Sequence, residues 1–340
     1  MQSADAWAAA LTPRLSDLFP EHAAGGLTLR AVGAPRTFTY SRLLTFDVLA
    51  AERPVVRLAL KEPFGSQGAD PVAEFAALQK LHRHFASQPG LTVPRPLLAL
   101  KDPPALLMEA VEGQALLRLL VACRRPVNQV SLTAALPYAL KAGEWLALLH
   151  RLQRPPGAKP TPPPASQVQT SERVLLELGV SANSLITIRS HLDSLIAVVK
   201  TSRPVVLHGD FTPRNVLCGP DNTVIVLDTT LSETGPAAYD LGWFLAGLDF
   251  LNRWQLLIGG RLYDDVALAG VRLAFLAGYQ RRAELPARKT VALFTATRLL
   301  QRWGQYVAHL QSTQPWLAPL LLSSQVHPYF RSRLDTVLTL

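Results

Sequence analysis

The stretch V-V-L-H-G-D-F-T-P-R-N-V-L, residues 205–217, followed by V-I-V-L-D at 224–228, decides how the rest of the chain is read. An apolar strand delivers His208, Gly209 and Asp210 to a turn, Asn215 follows five residues after Asp210, and a second apolar strand ends at Asp228. A hairpin of this kind is expected to carry two carboxylates and an amide oxygen at its mouth. Phosphoryl transfer needs such a set: one carboxylate orients the attacking hydroxyl, while an amide oxygen and another carboxylate hold the magnesium that neutralises phosphate oxygens. A lone H-G-D would carry little, because Asp in a turn after a strand is ordinary turn chemistry. The strand context and the two later oxygen ligands carry the weight.

Upstream, residues 27–62 read as three strands, L-T-L-R-A-V-G, T-Y-S-R-L-L-T-F-D-V-L-A and P-V-V-R-L-A-L-K, with A-E-R-P as a tight turn, which predicts an antiparallel meander. Lys61 ends the third, otherwise apolar strand, where a buried ammonium is costly unless paired. A loop with Gly65 and Gly68 leads into a helix with Asp70 as N-cap, Pro71 at its first position and Phe75, Leu78 and Leu81 on one face. Glu74, thirteen residues after Lys61, stands in its first turns. Further strands are expected at 96–100 and 105–109. Beyond Gly113 the period becomes helical, at 114–122, 133–152, 171–178 and 184–200, and again from Tyr239 to the end. The segment P-P-G-A-K-P-T-P-P-P-A-S, residues 155–166, reads as an exposed stiff loop whose prolines exclude helix and sheet. Strands first and helices afterwards describe an α+β protein, with a small antiparallel-sheet lobe over 1–109 and a larger, mainly helical lobe over 110–340.

The brace H-G-D-x-x-x-x-N, matched by His208, Gly209, Asp210 and Asn215, together with the later Asp228, resembles that of the aminoglycoside phosphotransferase and choline kinase group, relatives of the protein kinases. The resemblance covers about residues 27–250 and implies a two-lobed, protein-kinase-like fold using ATP or GTP with Mg²⁺. It implies Asp210 as catalytic base or hydroxyl orienter, Asn215 and Asp228 as Mg²⁺ ligands, and His208 as support for the loop. Lys61, held by Glu74, would contact the α- and β-phosphates. A-L-L-M-E-A-V-E-G, residues 105–113, resembles the kinase hinge, with Met108 behind the adenine and backbone groups of Glu109 and Val111 reading it. The helix at 142–152 resembles the one beneath the catalytic loop, and its His150 is assigned no chemistry. In G-P-A-A-Y-D-L-G-W-F-L-A-G, residues 235–247, Asp240 either accepts hydrogen bonds from the catalytic-loop backbone or is a plain acid at a helix N-terminus. Two departures stand out. The phosphate-covering loop G-A-P-R-T-F-T-Y-S has one glycine, Gly33, leaving groups near Thr37 and Thr39 as candidates, and Asp228 opens D-T-T where relatives continue with an aromatic and an acid.

Composition sets outer limits. With 340 residues, 49% hydrophobic and 17% charged, the chain is globular and its organisation is not that of a disordered protein. Cys123 and Cys218 lack zinc or redox spacing, the first residues lack a signal-peptide pattern, and the longest charge-free stretch, 303–330, is broken by polar residues and prolines. A cytoplasmic protein without a membrane span is expected. Net charge is +9, and residues 251–340 hold 11 Lys and Arg against 4 Asp and Glu. No basic run interleaves with aromatics, so nucleic acid is not an expected partner. The basic balance instead favours a neutral or anionic small-molecule hydroxyl acceptor, such as a sugar or sugar derivative, over a polycationic drug. Trp243, Trp254, Trp303 and Trp316 either stack on that acceptor or fill the core, and Asp249, Asp264, Asp265 or Glu284 could gather against the average. The alternatives are a nucleotide-binding pseudokinase and an antibiotic phosphotransferase of the aminoglycoside type.

Overall fold

Alternation along the third strand sends Lys61 to one face of a sheet and its neighbours Leu60 and Glu62 to the other, and this parity organises the N-terminal part of the molecule. The computed structural model describes residues 2–65, 69–122, 129–154, 157–161, 164–199, 203–251 and 265–338. Gly68, Cys123, Trp254, Asp264, prolines 155, 156, 162 and 163, and the side chain of Asp265 lie outside the described residues. Two compact units form, Met1–Gly113 with Ile225–Thr230, and Gln114–Val224 with Leu231–Leu340.

The first unit holds α1 (Ala4–Leu11), β1 (Leu27–Ala31), β2 (Ser41–Ala50), β3 (Arg53–Pro63), α2 (Pro71–Phe85), β4 (Pro96–Lys101) and β5 (Pro104–Glu109). The strands are ordered β1-β2-β3-β5-β4, every neighbouring pair antiparallel, so the expected meander forms and the hinge strand β5 lies beside β3. The turn between β2 and β3 is made by Ala51 and Glu52, both at positive φ (44° and 62°), the backbone of a two-residue hairpin turn that matches strand twist. Leu44, Phe46, Val48, Leu58, Leu60 and Leu107 form one apolar face, covered by Trp7, Leu11, Leu15 and Phe19 from the N-terminal segment. Glu62 shares that face, where it accepts hydrogen bonds from Trp7 Nε1 (2.8 Å) and Arg42 Nε (2.6 Å), so a buried carboxylate is fully engaged. Asp70 caps α2 by accepting from the Val72 N–H at 3.0 Å, as its sequence predicts.

The second unit holds β6 (Gln114–Ala115), α3 (Leu116–Ala122), α4 (Gln129–His150), β7 (Lys159–Pro160), α5 (Pro164–Glu177), α6 (Ala182–Val199), β8 (Pro204–Leu207), β9 (Val216–Cys218), β10 (Glu233–Pro236), α7 (Ala238–Asp249), α8 (Asp265–Gln280), α9 (Arg288–Thr313) and α10 (His327–Leu338). Two sequence expectations are corrected. Gln114 and Ala115 are not helical: they pair with Cys218 and Leu217 of β9, and the helix begins only at Leu116. The proline-rich segment does contribute regular structure, because β7 runs parallel to β10. Lys159 and Thr161 donate their N–H groups to Ser232 and Thr234, so the missing N–H of Pro160 falls between the two bonds and costs the ladder nothing. Pro164 opens α5, where its lacking N–H is harmless.

The helices α4 and α8 cross at two glycines. A Cβ at Gly143 would lie 2.0 Å from the Phe275 carbonyl oxygen, and one at Gly278 would lie 1.8 Å from the Leu140 carbonyl oxygen. The backbones are therefore in direct contact, and no side chain fits between them. Among the described residues no helix is long and apolar enough to cross a membrane. Gly278→Ala should lower the unfolding free energy by about 2–3 kcal/mol in urea denaturation, because overpacking outweighs the roughly 1 kcal/mol helix-propensity gain. An unchanged or raised midpoint would show that these helices can slide apart freely.

Candidate active site

The first unit brings together three of the residues singled out in the sequence. Lys61 Nζ, facing α2 from the end of β3, donates to Glu74 Oε1 at 2.8 Å and to Asp228 Oδ1 at 2.8 Å. Glu74 is buried in the first turn of α2, whereas the Asp228 side chain is 54% exposed. Burial works against the Lys61 charge, but Asp228 and Glu74 outweigh it and lift its pKa above the ordinary lysine value, so the ammonium persists. Burial raises the Glu74 pKa, only partly countered by Lys61, because that cation is shared with a second carboxylate.

Asp228 adopts a left-handed backbone conformation (φ 57°), which turns its carboxylate out of the strand line. Thr229, standing where relatives usually carry an aromatic, is fully buried, and its Oγ1 has no hydrogen-bond partner among the described residues. The D-T-T departure thus replaces a ring by a small side chain with an unsatisfied hydroxyl. In the hinge segment, Met108 is buried. Glu109 donates its N–H to the Arg95 carbonyl (2.9 Å) and its carboxylate accepts from Arg95 Nη1 (2.9 Å), and the Ala110 N–H donates to the Arg57 carbonyl at 2.8 Å. Val111 is the next residue beyond these bonds. Thr37 and Thr39 are exposed in the hairpin before β2, and no contact specific to phosphate is set up there.

The second unit holds the H-G-D turn. Asp240, completely buried at the start of α7, accepts the N–H of His208 at Oδ2 (2.8 Å) and the N–H of Gly209 at Oδ1 (3.0 Å). Of the two readings of Asp240, the supporting one is correct. His150 is a residue the sequence reading passed over: its Nε2–H faces the Asp240 carboxylate at 3.1 Å, and its Nδ1 accepts from the Tyr279 hydroxyl at 2.9 Å. A histidine at the end of a helix assigned to lie beneath the loop was the available signal. Gly209 has φ 87°, and a Cβ there would meet Glu233 Oε2 at 3.4 Å, so glycine suits both the backbone and the space.

The turn is also gripped from within. The Asp210 N–H points to His208 Nδ1 at 3.3 Å, and Asn215 Nδ2 donates to the Asp210 carbonyl (3.0 Å) and to its Oδ2 (3.2 Å). Phe211 stacks on Trp145 (ring centroids 5.8 Å apart) and packs against Phe244 and Phe275, anchoring the loop in the core. The Asp210 carboxylate remains about half exposed, with Arg298 Nη2 3.4 Å from its Oδ1. Arg298 in turn lies over Trp243, 4.5 Å from the ring centroid. Trp303 is core, donating Nε1–H to His327 Nδ1 at 3.0 Å, and Trp316 is exposed. Asp249 is buried between Arg272 and Arg333.

In the second unit, Asn215 spends its amide nitrogen on Asp210, which leaves its carbonyl oxygen as a hard-oxygen donor of the kind magnesium takes. In the first unit, the accessible Asp228 carboxylate is another oxygen of that kind. Among the described residues no group of three or more His, Cys, Asp or Glu gathers that could hold a metal ion.

Comparison with known proteins agrees with this chemistry. The model of the phosphotransferase enzyme family matches residues 44–294, and the chain belongs to that family. No curated protein matches it in sequence. Among solved structures it is similar to a glucosamine kinase (18% identity, 95% of this chain and 82% of that one covered, TM-score 0.54). It is also similar to a choline kinase from Streptococcus pneumoniae (12% identity, 97% and 98% covered, TM-score 0.52). A spectinomycin phosphotransferase solved with AMP bound gives 10% identity, 94% and 97% coverage and a TM-score of 0.52. These likenesses are of fold, an α+β protein-kinase-like one. The protein is a phosphotransferase with a hydroxyl group as acceptor.

Asp240→Ala would orphan two backbone N–H groups and His150 in the interior, and is expected to cost about 3–5 kcal/mol in chemical denaturation. Loss of less than about 1 kcal/mol would mean that water replaces the carboxylate and that the turn is held by its aromatic anchor alone.

Proposed function

We propose that the protein transfers the γ-phosphoryl group of ATP or GTP to a hydroxyl of a neutral or anionic small molecule, with a sugar or sugar derivative as the favoured class. The observation that carries this reading is the Asp210 carboxylate, half exposed on a turn whose backbone is held by Asp240, His208 and Asn215. A rigidly held, accessible carboxylate is what orientation of an attacking hydroxyl requires.

The acceptor oxygen attacks the γ-phosphorus, the new O–P bond forms, and the bond from that phosphorus to the β–γ bridging oxygen breaks, releasing the nucleoside diphosphate. The hydroxyl proton passes to Asp210. Lys61, fixed by Glu74, meets the α- and β-phosphates, and Met108 with the backbone at Glu109 and Val111 receives the base. Asn215 and Asp228 would hold Mg²⁺, which would neutralise charge on the phosphate oxygens. The Lys61–Asp228 ion pair is consistent with these roles, because each partner prefers a new one, the ammonium a phosphate and the carboxylate a metal.

The acceptor class rests on charge. The excess of basic residues over 251–340, 11 against 4, has its counterpart beside Asp210, where Arg298 pairs with the carboxylate. The acids that could have served a polycation do not gather: Asp249 is neutralised by two arginines and Glu284 is exposed. The neighbours' names span glucosamine, choline and spectinomycin, so the fold itself does not choose an acceptor.

Asp210→Asn is expected to lower kcat by about 10²–10⁴-fold in an ADP-release assay, while nucleotide still raises Tm in the presence of Mg²⁺ as it does in the wild type. An amide keeps the shape but takes no proton. Near-wild-type turnover by this variant would remove Asp210 from the chemistry.

A further inference from the structure

Helix α9 places two arginines one turn apart, Arg298 and Arg302, on a face shared with Gln301 and Gln305 and flanked by the buried Phe294 and Leu299. The Arg298 guanidinium is 13% exposed, lies flat over Trp243 at 4.5 Å, hydrogen-bonds Gln301 Oε1 through Nη1 (3.2 Å), and reaches Asp210 Oδ1 through Nη2 (3.4 Å). Arg302 is half-buried and holds Gln305 Oε1 through its own Nη1 at 3.2 Å. Arg214, from the catalytic loop, adds a third positive charge felt by both.

Negative charge nearby does not balance these three. Asp240 is spent on the H-G-D backbone and His150, and half-buried Glu233 has its pKa raised by burial and by Asp240, which weakens it as a counter-ion. That leaves Asp210, touched by Arg298 over a long 3.4 Å. Burial pushes the Arg298 pKa down to about 10, with Arg302 adding to the fall and Asp210 only partly opposing it. Arg302 is lowered by burial and by Arg214, again against Asp210. Guanidinium groups crowded and desolvated in this way are costly unless an anion joins them, and a planar fork suits a carboxylate or phosphate oxygen pair.

We propose that Arg298 and Arg302 form the anion-binding half of the acceptor site, so that the acceptor is a small hydroxyl compound carrying a carboxylate or a phosphate near its reacting hydroxyl. This narrows the acceptor class and rests on the phosphotransferase reading with Asp210 at the hydroxyl. Because Arg298 touches the Asp210 carboxylate, an anion seated on the arginines and a hydroxyl seated on Asp210 belong to one molecule of sugar size. Binding also competes with the Arg298–Asp210 ion pair.

The test compares kcat/KM for gluconate and glucose 6-phosphate, the carboxylate and phosphate arms, with that for glucose and the cation glucosamine, in wild type, Arg302→Gln and Arg302→Lys. One anionic arm should exceed glucose by about 10–100-fold, the value of a desolvated charge-assisted hydrogen bond, and the Gln variant should erase that advantage through KM. The Lys variant should restore part of it. A preference for glucose or glucosamine overturns the proposal. So does an equal fall of kcat on every acceptor in Arg302→Gln, which would place the arginines on the transferring phosphoryl group. If no compound is turned over, Tm with Mg²⁺ and a non-hydrolysable ATP analogue decides. A rise with either anion in the wild type that is absent in Arg302→Gln upholds the anion site while the missing turnover counts against the kinase reading, and no rise with either anion overturns the site.

Discussion

A buried ammonium shared by two carboxylates is the interaction on which the first unit's working end depends. Lys61 arrives near the end of a strand whose Leu58 and Leu60 pack into an apolar core, and sheet parity obliges it to face α2. Alone there it would be intolerable; with Glu74 and Asp228, each 2.8 Å away, its charge is kept and three separate segments of chain are tied to one atom. The segment Ile225–Thr230, more than a hundred residues distant in sequence, belongs to the first unit's compact body. Asp228 is the more exposed of the two carboxylates.

The second unit solves a different problem, holding a turn still while leaving one carboxylate usable. Two backbone N–H groups point at a fully buried Asp240, itself steadied by His150 and Tyr279, and Phe211 pins the loop into a ring stack. The loop is therefore held mainly by groups other than the Asp210 carboxylate, which stays half exposed. Such division between groups that position and a group that reacts is how a site is preorganised at little cost at the moment of reaction.

Much of this was legible in the sequence. The strand meander, the Asp70 cap, the Lys61–Glu74 pair and the catalytic turn were readable because each rests on local chemistry or short spacing: a period of two, a capping carboxylate, an unpaired lysine seeking an acid, a glycine between His208 and Asp210. What escaped depends on long-range packing. His150 and Tyr279 gain meaning only from helices that approach through Gly143 and Gly278. Arg298 and Arg302 look like any i, i+4 pair on a helix until Trp243 and Asp210 are brought beside the first of them. The proline-rich segment was misjudged because a parallel edge strand needs N–H groups only at alternate residues, and Pro160 falls at one that does not.

The account stands or falls on whether Asp228 trades Lys61 for a metal ion carried with nucleotide. Titrating Mg²⁺ at fixed ATP or GTP and following Tm measures that exchange directly. Wild type should be stabilised by nucleotide in a Mg²⁺-dependent way, and Asp228→Ala should retain at most a Mg²⁺-independent remnant. The same Mg²⁺ dependence in both proteins, or no stabilisation of the wild type by any Mg-nucleotide, would contradict it.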